Sequence, residues 1–476
     1  MTSSPRSTIT EGGLIRPLAR LAWPIVVIQL LQVAYNIADT LWLGRLSSDA
    51  VGALSLAFPL VFLVISVAGG FTAAGAILVA QYTGAASEGS AAKVAGQTFS
   101  FVGLLAIGLG FVGFAITEEL LGLLPSSSGT ALQIVPLAAD YMRVFFLGMP
   151  FLFGFFVFTA LMRGYGNTRT PMRIMAVSVA INVVLDPILI FGWFDAPALG
   201  VEGAALATII SRGIASLMGA YILFGGGVGP TVQLGHLVPD LEMIREIVRI
   251  GIPTAAEQSM SALAMITLTA MVVTFSPPVV AAYGLGNRLI SLVFLPAMGL
   301  GRATDTLVGQ NLGAQNPDRA ERAVWLAAGI AMGVLVVAAA TAALFPATIV
   351  GFFMATGTPA AAETIAFGSD YLRIRAIEFA FIGLLQVLLG AYRGAGNTKT
   401  ALVFSVVTLW LGRVPIVYYL AFVLGWGPTG VWIGMAVGHV VGGIAAALWF
   451  TRGTWREAII DEAPTGPAAV DADAED

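Results

Sequence analysis

Between Pro17 and Thr451 the chain is a succession of apolar stretches of roughly 20 to 30 residues, each bounded by glycine, proline or charge. That is the length a bilayer-spanning helix requires. The pattern predicts about twelve helices, at 15–45, 51–81, 92–117, 132–163, 171–194, 200–225, 244–275, 280–309, 321–346, 363–392, 401–424 and 430–451. The fold class that follows is all-α, a polytopic membrane protein. Several of these helices are longer than a bilayer is thick and would tilt or run on into the cytoplasm. The first stretch is too long for a signal-peptide core and carries no small-residue cleavage pattern, so it reads as a retained helix.

The polar punctuation repeats. Ile15-Arg16-Pro17-Leu18-Ala19-Arg20-Leu21-Ala22-Trp23-Pro24 returns 229 residues later as Ile244-Arg245-Glu246-Ile247-Val248-Arg249-Ile250-Gly251-Ile252-Pro253. At the same offset Ala80-Gln81-Tyr82-Thr83-Gly84-Ala85 returns as Gly309-Gln310-Asn311-Leu312-Gly313-Ala314. At an offset of 230, Asp140-Tyr141-Met142-Arg143 returns as Asp370-Tyr371-Leu372-Arg373, and Arg163-Gly164-Tyr165-Gly166-Asn167-Thr168 as Arg393-Gly394-Ala395-Gly396-Asn397-Thr398. Four matches at spacings of 229 and 230 residues mark an internal duplication. The expected organisation is an N-terminal tail at 1–14, a six-helix lobe at 15–225, a linker at 226–243, a second six-helix lobe at 244–452 and an acidic, disordered tail at 453–476. Six helices per half return the chain to the side it entered from, so the lobes are parallel repeats.

Charge sets the orientation. Arg6, Arg16 and Arg20 precede the first helix, and Lys93, Arg163, Arg169, Arg173, Arg245, Arg249, Arg319, Arg322, Arg393, Lys399, Arg452 and Arg456 fall in or beside every second connection. The intervening connections hold mainly Glu118, Glu119, Asp195, Glu202 and Glu363. By the positive-inside rule this predicts a multi-pass protein of the cell membrane with tails and linker cytoplasmic.

Composition narrows the chemistry. Hydrophobic residues make up 58% and charged residues only 11%, against about 25% charged in soluble domains. There is no cysteine, which excludes disulfides and thiolate chemistry, and the two histidines, His236 and His439, are too few and too far apart for an imidazole cluster. A net charge of −4 offers no footprint for nucleic acid. No zinc-ligand pattern, phosphate-cradling loop or nucleophile elbow occurs, so the reading is not that of an enzyme and calls for no cofactor.

What remains is charge inside the membrane, which costs roughly 2.5 to 3.5 kcal/mol per residue on insertion scales. In the first half the candidates are Asp39, Asp186 and Arg212. Asp39 lies about nine residues before the turn near Ser48 and Asp186 about eleven before the turn near Pro197, which puts both roughly 13 to 17 Å below those turns. Asn182 is one helical turn from Asp186, and Thr208 is at matching depth on the next helix. Two carboxylates, an amide and a hydroxyl form a hard-oxygen set suited to sodium or to a shared proton. Gln32, Asn36 and Met175 offer polar and adaptable apolar contacts for a substrate cavity, and Pro24, matched by Pro253, is a hinge candidate. The second half sets Glu257, Asp305 and Glu378 against Arg288, Arg302 and Arg413, so its charges cancel, whereas the first half is left with one carboxylate over. The alternative for all of these groups is that they are buried ion pairs holding helices together, and the Asp305–Arg302 spacing of three favours that for Asp305.

These residues together resemble a known family. Asn36-Ile37-Ala38-Asp39-Thr40, Arg163 to Pro171, Asn182-Val183-Val184-Leu185-Asp186-Pro187 and Gly309-Gln310-Asn311-Leu312-Gly313-Ala314, in a duplicated twelve-helix layout, are similar to the multidrug and toxic compound extrusion (MATE) transporters, nearest to the archaeal and DNA-damage-inducible branch, over about residues 15–452. The resemblance implies a monomeric antiporter that expels small organic compounds, often cationic and amphipathic, as protons or sodium enter. It implies coupling acids at Asp39 and Asp186, with Asn182 and Thr208 beside them and Gln32 and Met175 lining the cavity. In another branch of the family the acids lie on helices 7 and 10, where Glu257 and Glu378 stand here. Arg212 departs from the pattern and disfavours sodium more than protons. The alternatives are a lipid-linked sugar flippase of the wider superfamily, and a membrane scaffold or receptor that transports nothing.

Overall fold

A computed structural model describes residues 5–122, 129–225, 227–354 and 358–460. Among these there is no strand, and twelve membrane-length segments follow one another. They are α1 (Ile15–Leu46), α2 (Ser48–Gly84), α3 (Glu88–Ala115), α4 (Gly129–Leu147 with Met149–Tyr165), α5 (Arg169–Phe191) and α6 (Gly200–Gly225), then α7 (Leu241–Val272), α8 (Pro277–Gly313), α9 (Pro317–Leu344), α10 (Pro359–Ala376 with Phe379–Gly394), α11 (Thr398–Val423) and α12 (Gly427–Phe450). Nine are single helices long and apolar enough to cross a bilayer, and α4 and α10 qualify as bent pairs. The remaining one, α7, carries Glu242, Arg245, Glu246 and Arg249 at its linker end and is correspondingly less apolar. Turns are set locally: Ser47 Oγ accepts the Ala50 N–H at 3.0 Å to start α2, and the Asp240 carboxylate accepts those of Glu242 and Met243 to start α7.

Three helices depart from the regular rods that apolar length predicts. α4 bends by 56° at Gly148 and α10 by 52° between Ala376 and Phe379, at matching places in the two lobes. At Gly148 the cause is local: Pro150 restarts the helix without a donor, and a Cβ on Gly148 would run into Ile209 of α6. At the α10 break Glu378 is held by side chains. α11 widens into π-turns at Val407–Leu411 and Tyr419–Val423, on either side of Arg413.

Helices α1–α6 and α7–α12 form two lobes. α2 lies along α7 and α8, and α1 along α8. Midway, the Gly70 backbone rests on Ala255 and Gly251 rests on Phe71. At the end that carries the linker and both termini the repeated motifs meet one another. Gln81 Nε2 donates to the Gly394 carbonyl at 3.0 Å, and its repeat mate Gln310 donates to the Gly164 carbonyl at 2.8 Å. A Cβ on Gly84 would strike the Gln310 carbonyl and one on Gly313 the Gln81 carbonyl, so α2 and α8 cross with their backbones touching.

The terminal segments close over this crossing in the same reciprocal way. Ile9, on a short helix Pro5–Thr10, packs on Gly166, while Arg319 donates to the carbonyls of Ile9, Glu11 and Gly12 at 3.1, 2.9 and 2.7 Å. Ile459 packs on Gly396, the counterpart of Gly166, and its N–H donates to Gln81 Oε1 at 2.9 Å. Residues 453–460, expected to belong to a disordered tail, are therefore packed: Trp455 stacks on Phe450, and Arg456 pairs with Asp318 and Glu321. The rest of that expected tail, 461–476, and residues 1–4 lie outside the described residues. The linker is strapped to α3: Gln97 Nε2 donates to the carbonyls of His236 and Val238, and Lys93 pairs with Asp240 at 2.6 Å, holding its carboxyl below the ordinary range.

Substituting Gly84 or Gly313 by Ala should destabilise the protein by about 1–3 kcal/mol, the cost of overpacking a backbone contact. Gly329→Ala, where a Cβ meets open space, should be neutral or better. Thermal unfolding of the three variants in detergent reads the difference, and equal midpoints would show that the backbone crossing contributes nothing.

Candidate functional site

In the first lobe, α1, α5 and the first half of α4 converge on a buried polar centre. Asp39 and Asp186 are both buried, and their carboxyls come within hydrogen-bonding reach of each other, with Asn182 in reach of Asp39 as well. Asn182 Nδ2 donates to Asp186 Oδ1 at 3.1 Å. Three acceptors in this group, Asp39 Oδ1, Asn182 Oδ1 and Asp186 Oδ2, are buried without a donor from the protein. Two carboxylates in contact repel unless a proton lies between them or a cation bridges their oxygens. The oxygens of Asp39, Asp186 and Asn182 therefore suit one proton, or one sodium ion bound through hard ligands. Among the described residues no group of three or more His, Cys, Asp or Glu is placed to hold a metal ion.

Thr208 reaches this centre only indirectly. Its hydroxyl accepts a hydrogen bond from Tyr35 and donates to the Ala204 carbonyl at 3.0 Å, so it buttresses Tyr35, one turn before Asp39, rather than standing against Asp186 as expected. Tyr35 and Tyr141 are the residues that sequence reasoning missed: both are buried, and both lie close enough to Asp39 to feel its charge. A signal for Tyr141 existed, because the Asp-Tyr pair recurs as Asp370-Tyr371, and Tyr371 sits in the polar cluster of the second lobe.

Gln32, Met175 and Arg212 are brought together. Arg212 donates to Gln32 Oε1 at 2.7 Å and to the Met175 thioether at 2.8 Å, and lies over the rings of Tyr35 and Phe155 at 5.0 and 5.3 Å. Gln32 Nε2 in turn donates to Asn36 Oδ1 at 3.2 Å. Arg212 forms an ion pair with neither Asp39 nor Asp186; its charge is held by neutral groups and π faces. Pro24 lies inside α1, and since it cannot donate to the Arg20 carbonyl one turn back, the Thr168 hydroxyl takes that acceptor at 3.4 Å.

The second lobe is paired, but not as its sequence suggests. Glu257 bonds Arg393 at 2.9 Å and accepts from Ser405, and Glu378 pairs with Arg375 and with His439 Nδ1 at 2.9 Å. Arg375 also donates to Tyr371. The expected partners Arg288 and Arg413 do not take these roles, and Asp305 lies 3.6 Å from Arg393 instead of bonding Arg302. The three-residue spacing of Arg375 and Glu378 was a readable signal; the Glu257–Arg393 contact, across 136 residues, was not.

Comparison with known proteins agrees with this architecture. The MatE family model matches residues 24–188 and 253–419, once in each lobe. The probable multidrug resistance protein YpnP of Bacillus subtilis is 30% identical over 94% of this chain and 97% of its own length. The probable multidrug resistance protein NorM of Thermotoga maritima is 27% identical over 95% of each chain. Among solved structures, a MOP superfamily transporter from Pyrococcus furiosus, described as having a binding pocket of reverse polarity, superposes with a TM-score of 0.86 at 25% identity, covering 95% of this chain and 98% of that one.

The two lobes should respond oppositely to neutral substitution. Glu378→Gln leaves the fully buried Arg375 without its carboxylate and should cost about 3–5 kcal/mol. Asp39→Asn, which relieves a carboxyl pair lacking a bonded base, should leave the thermal midpoint unchanged or raise it. A loss in Asp39→Asn as large as that in Glu378→Gln would mean that Asp39 is a structural ion-pair member.

Proposed function

Since the chain belongs to the multidrug and toxic compound extrusion (MatE) family of membrane transport proteins, we propose that it exports small organic compounds by exchange with a cation entering the cell, coupled at Asp39 and Asp186 of the first lobe. The observation that carries this reading is the asymmetry of the lobes. Each of the second lobe's acids has an arginine within ion-pair distance, whereas the first lobe's carboxyl pair has none; unpaired carboxylate oxygens occur in both lobes, but only in the first do they belong to acids without a base. Relatives named as multidrug resistance proteins support drugs or toxic compounds as the cargo.

The cycle follows from differential affinity. In this reading the lobes, joined at the linker end, open the first-lobe centre toward the opposite face, which the positive-inside rule makes the outside. A proton or sodium ion arriving at Asp39 and Asp186 reduces the pair's negative charge, so a substrate held by that charge is held more weakly and leaves. Arg212, within electrostatic reach of Asp39, opposes any added positive charge there, proton or sodium alike, and so weakens binding of the coupling ion without choosing between the two. It also disfavours cationic groups placed near Gln32 and Met175, so an amphipathic cation would seat its charge toward the acids and its apolar body against α1 and α5. Bending of α1 at Pro24 is the conformational response assigned to the neutralised state. Glu257 and Glu378 are secondary candidates whose pairing makes them structural in this reading.

Dye efflux from proteoliposomes under separately imposed proton and sodium gradients tests the proposal. Asp39→Asn and Asp186→Asn should each abolish gradient-driven efflux while the protein remains folded. Glu257→Gln should retain more activity per folded molecule. Normal efflux from both first-lobe variants would sink the assignment, and a reversed ranking would move coupling to α7 and α10.

A further inference from the structure

Where α1, α4 and α5 of the first lobe meet α8 of the second, a small cavity of about 20 Å³ is lined by Ile25, Ile28, Thr159, Arg163, Thr168 and Arg302. Its polar wall includes two guanidinium groups, one from each lobe, and the Thr159 hydroxyl, which is buried and has no partner among the described residues. The charge around it does not balance. Arg163, Arg302, Arg393 and Glu257 all gather about Asp305, three positive groups facing two carboxylates. Both carboxylates lie at Arg393, Glu257 at 2.9 Å and Asp305 at 3.6 Å, and among the described residues neither Arg163 nor Arg302 has a carboxylate within ion-pair distance. Arginine does not shed its proton in proteins, so the surplus positive charge stays in place. Both guanidinium-bearing residues are part-buried, so water reaches them only in part, and an anion at the pair would offset the charge that water leaves unscreened.

We propose that this cavity binds a monatomic anion of the size of chloride, held by Arg163, Arg302 and the Thr159 hydroxyl. Size decides the class. A buried water needs about 10–15 Å³, so the inner space admits a water-sized sphere or a halide, whereas a phosphate or carboxylate group would have to remain partly outside it. Because Arg163 belongs to the first lobe and Arg302 to the second, the anion bridges the lobes only while they are joined at the linker end. It is a counter-ion of that joined state, distinct from the coupling cation.

Thermal unfolding of the purified full chain in detergent, with sodium chloride exchanged for sodium gluconate at constant ionic strength, reads the site. The midpoint should rise saturably with chloride or bromide, by several degrees, and stay flat in gluconate, which is too large to enter. Arg302→Gln leaves two guanidiniums facing two carboxylates and should flatten the chloride response. Thr159→Val keeps every charge and should raise the half-saturating chloride concentration about tenfold, so the test survives if Arg302→Gln fails to fold. Crystals grown in bromide should show an anomalous peak between the two guanidiniums. A wild-type midpoint indifferent to chloride, or an unchanged response in both variants, would overturn the proposal. So would stabilisation in chloride-free nanodiscs by phosphatidylglycerol but not by phosphatidylcholine, which would assign the charge to a lipid phosphate.

Discussion

The architecture depends on the contact of α2 with α8 at the linker end. Gly84 and Gly313 let the two helices cross with each backbone against the other's glutamine carbonyl, and Gln81 and Gln310 use their amides to bind the last carbonyls of α10 and α4 in the opposite lobe. These acceptors are among those a helix leaves unsatisfied at its C-terminus, and water would otherwise take them. The two lobes thus complete each other's helix ends. Such a joint holds strongly only when the backbones are close, because hydrogen bonds fail within a few tenths of an ångström and small-residue crossings lose their packing at the same separation. It favours two discrete arrangements over a continuum.

Away from the joint, the lobes diverge in how they handle buried charge. In the second, Arg375, Glu378 and His439 form one bonded group and Arg393 gathers Glu257 and Asp305. In the first, two acids and an amide lie together, and the nearby Arg212 bonds Gln32 and Met175 instead. A bonded ion pair is a poor place to exchange a cation, since its carboxylate already has a partner that does not leave. A carboxyl pair without a base must take a proton or ion from outside. Duplication supplied two equivalent frames, and substitution paired the acids of one with arginines and left the carboxyl pair of the other without a base.

Much of this was legible in the sequence because the relevant signals are local. Apolar length gave twelve helices whose ends lie within several residues of those observed, as with α5, expected at 171–194 and found at Arg169–Phe191. Matched depth from the outer turns was enough to bring Asp39 to Asp186, because straight helices carry register faithfully over about ten residues. The failures are equally physical. The bends at Gly148 and Glu378 were invisible because hydropathy is unchanged across them, although Pro150 was a usable hint at the first. Pairing across lobe interiors was misread because charge counts do not say which arginine reaches which acid. Arg393 was read as a cytoplasmic residue of a connection, yet its side chain folds back to Glu257. Tyr35 passed as packing because an aromatic one turn from an acid has no distinguishing pattern.

α1 is the element through which the carboxyl pair and the joint can influence one another. It carries Asp39 and Tyr35 in the half away from the linker, and in the other half the carbonyl of Arg20, freed by Pro24, is held by Thr168. Thr168 lies in the short loop that follows α4, two residues beyond Gly166, on which Ile9 rests, and four beyond Gly164 in the last turn of α4, whose carbonyl Gln310 binds. If α1 bends at Pro24, as proposed, the Arg20 carbonyl would move and with it the Thr168 hydroxyl bonded to it. Strain at either end is therefore felt at the other through bonded groups rather than through distance alone. For coupling to act along this path, the two states of α1 must differ in how well they bind the cation at Asp39 and Asp186, since a ligand of equal affinity for both would shift nothing. In the proposed cycle such a difference would arise at the acceptors of that pair that no protein donor reaches: a bound cation would satisfy them in the state that brings Asp39 to Asp186, and so would favour that state of α1.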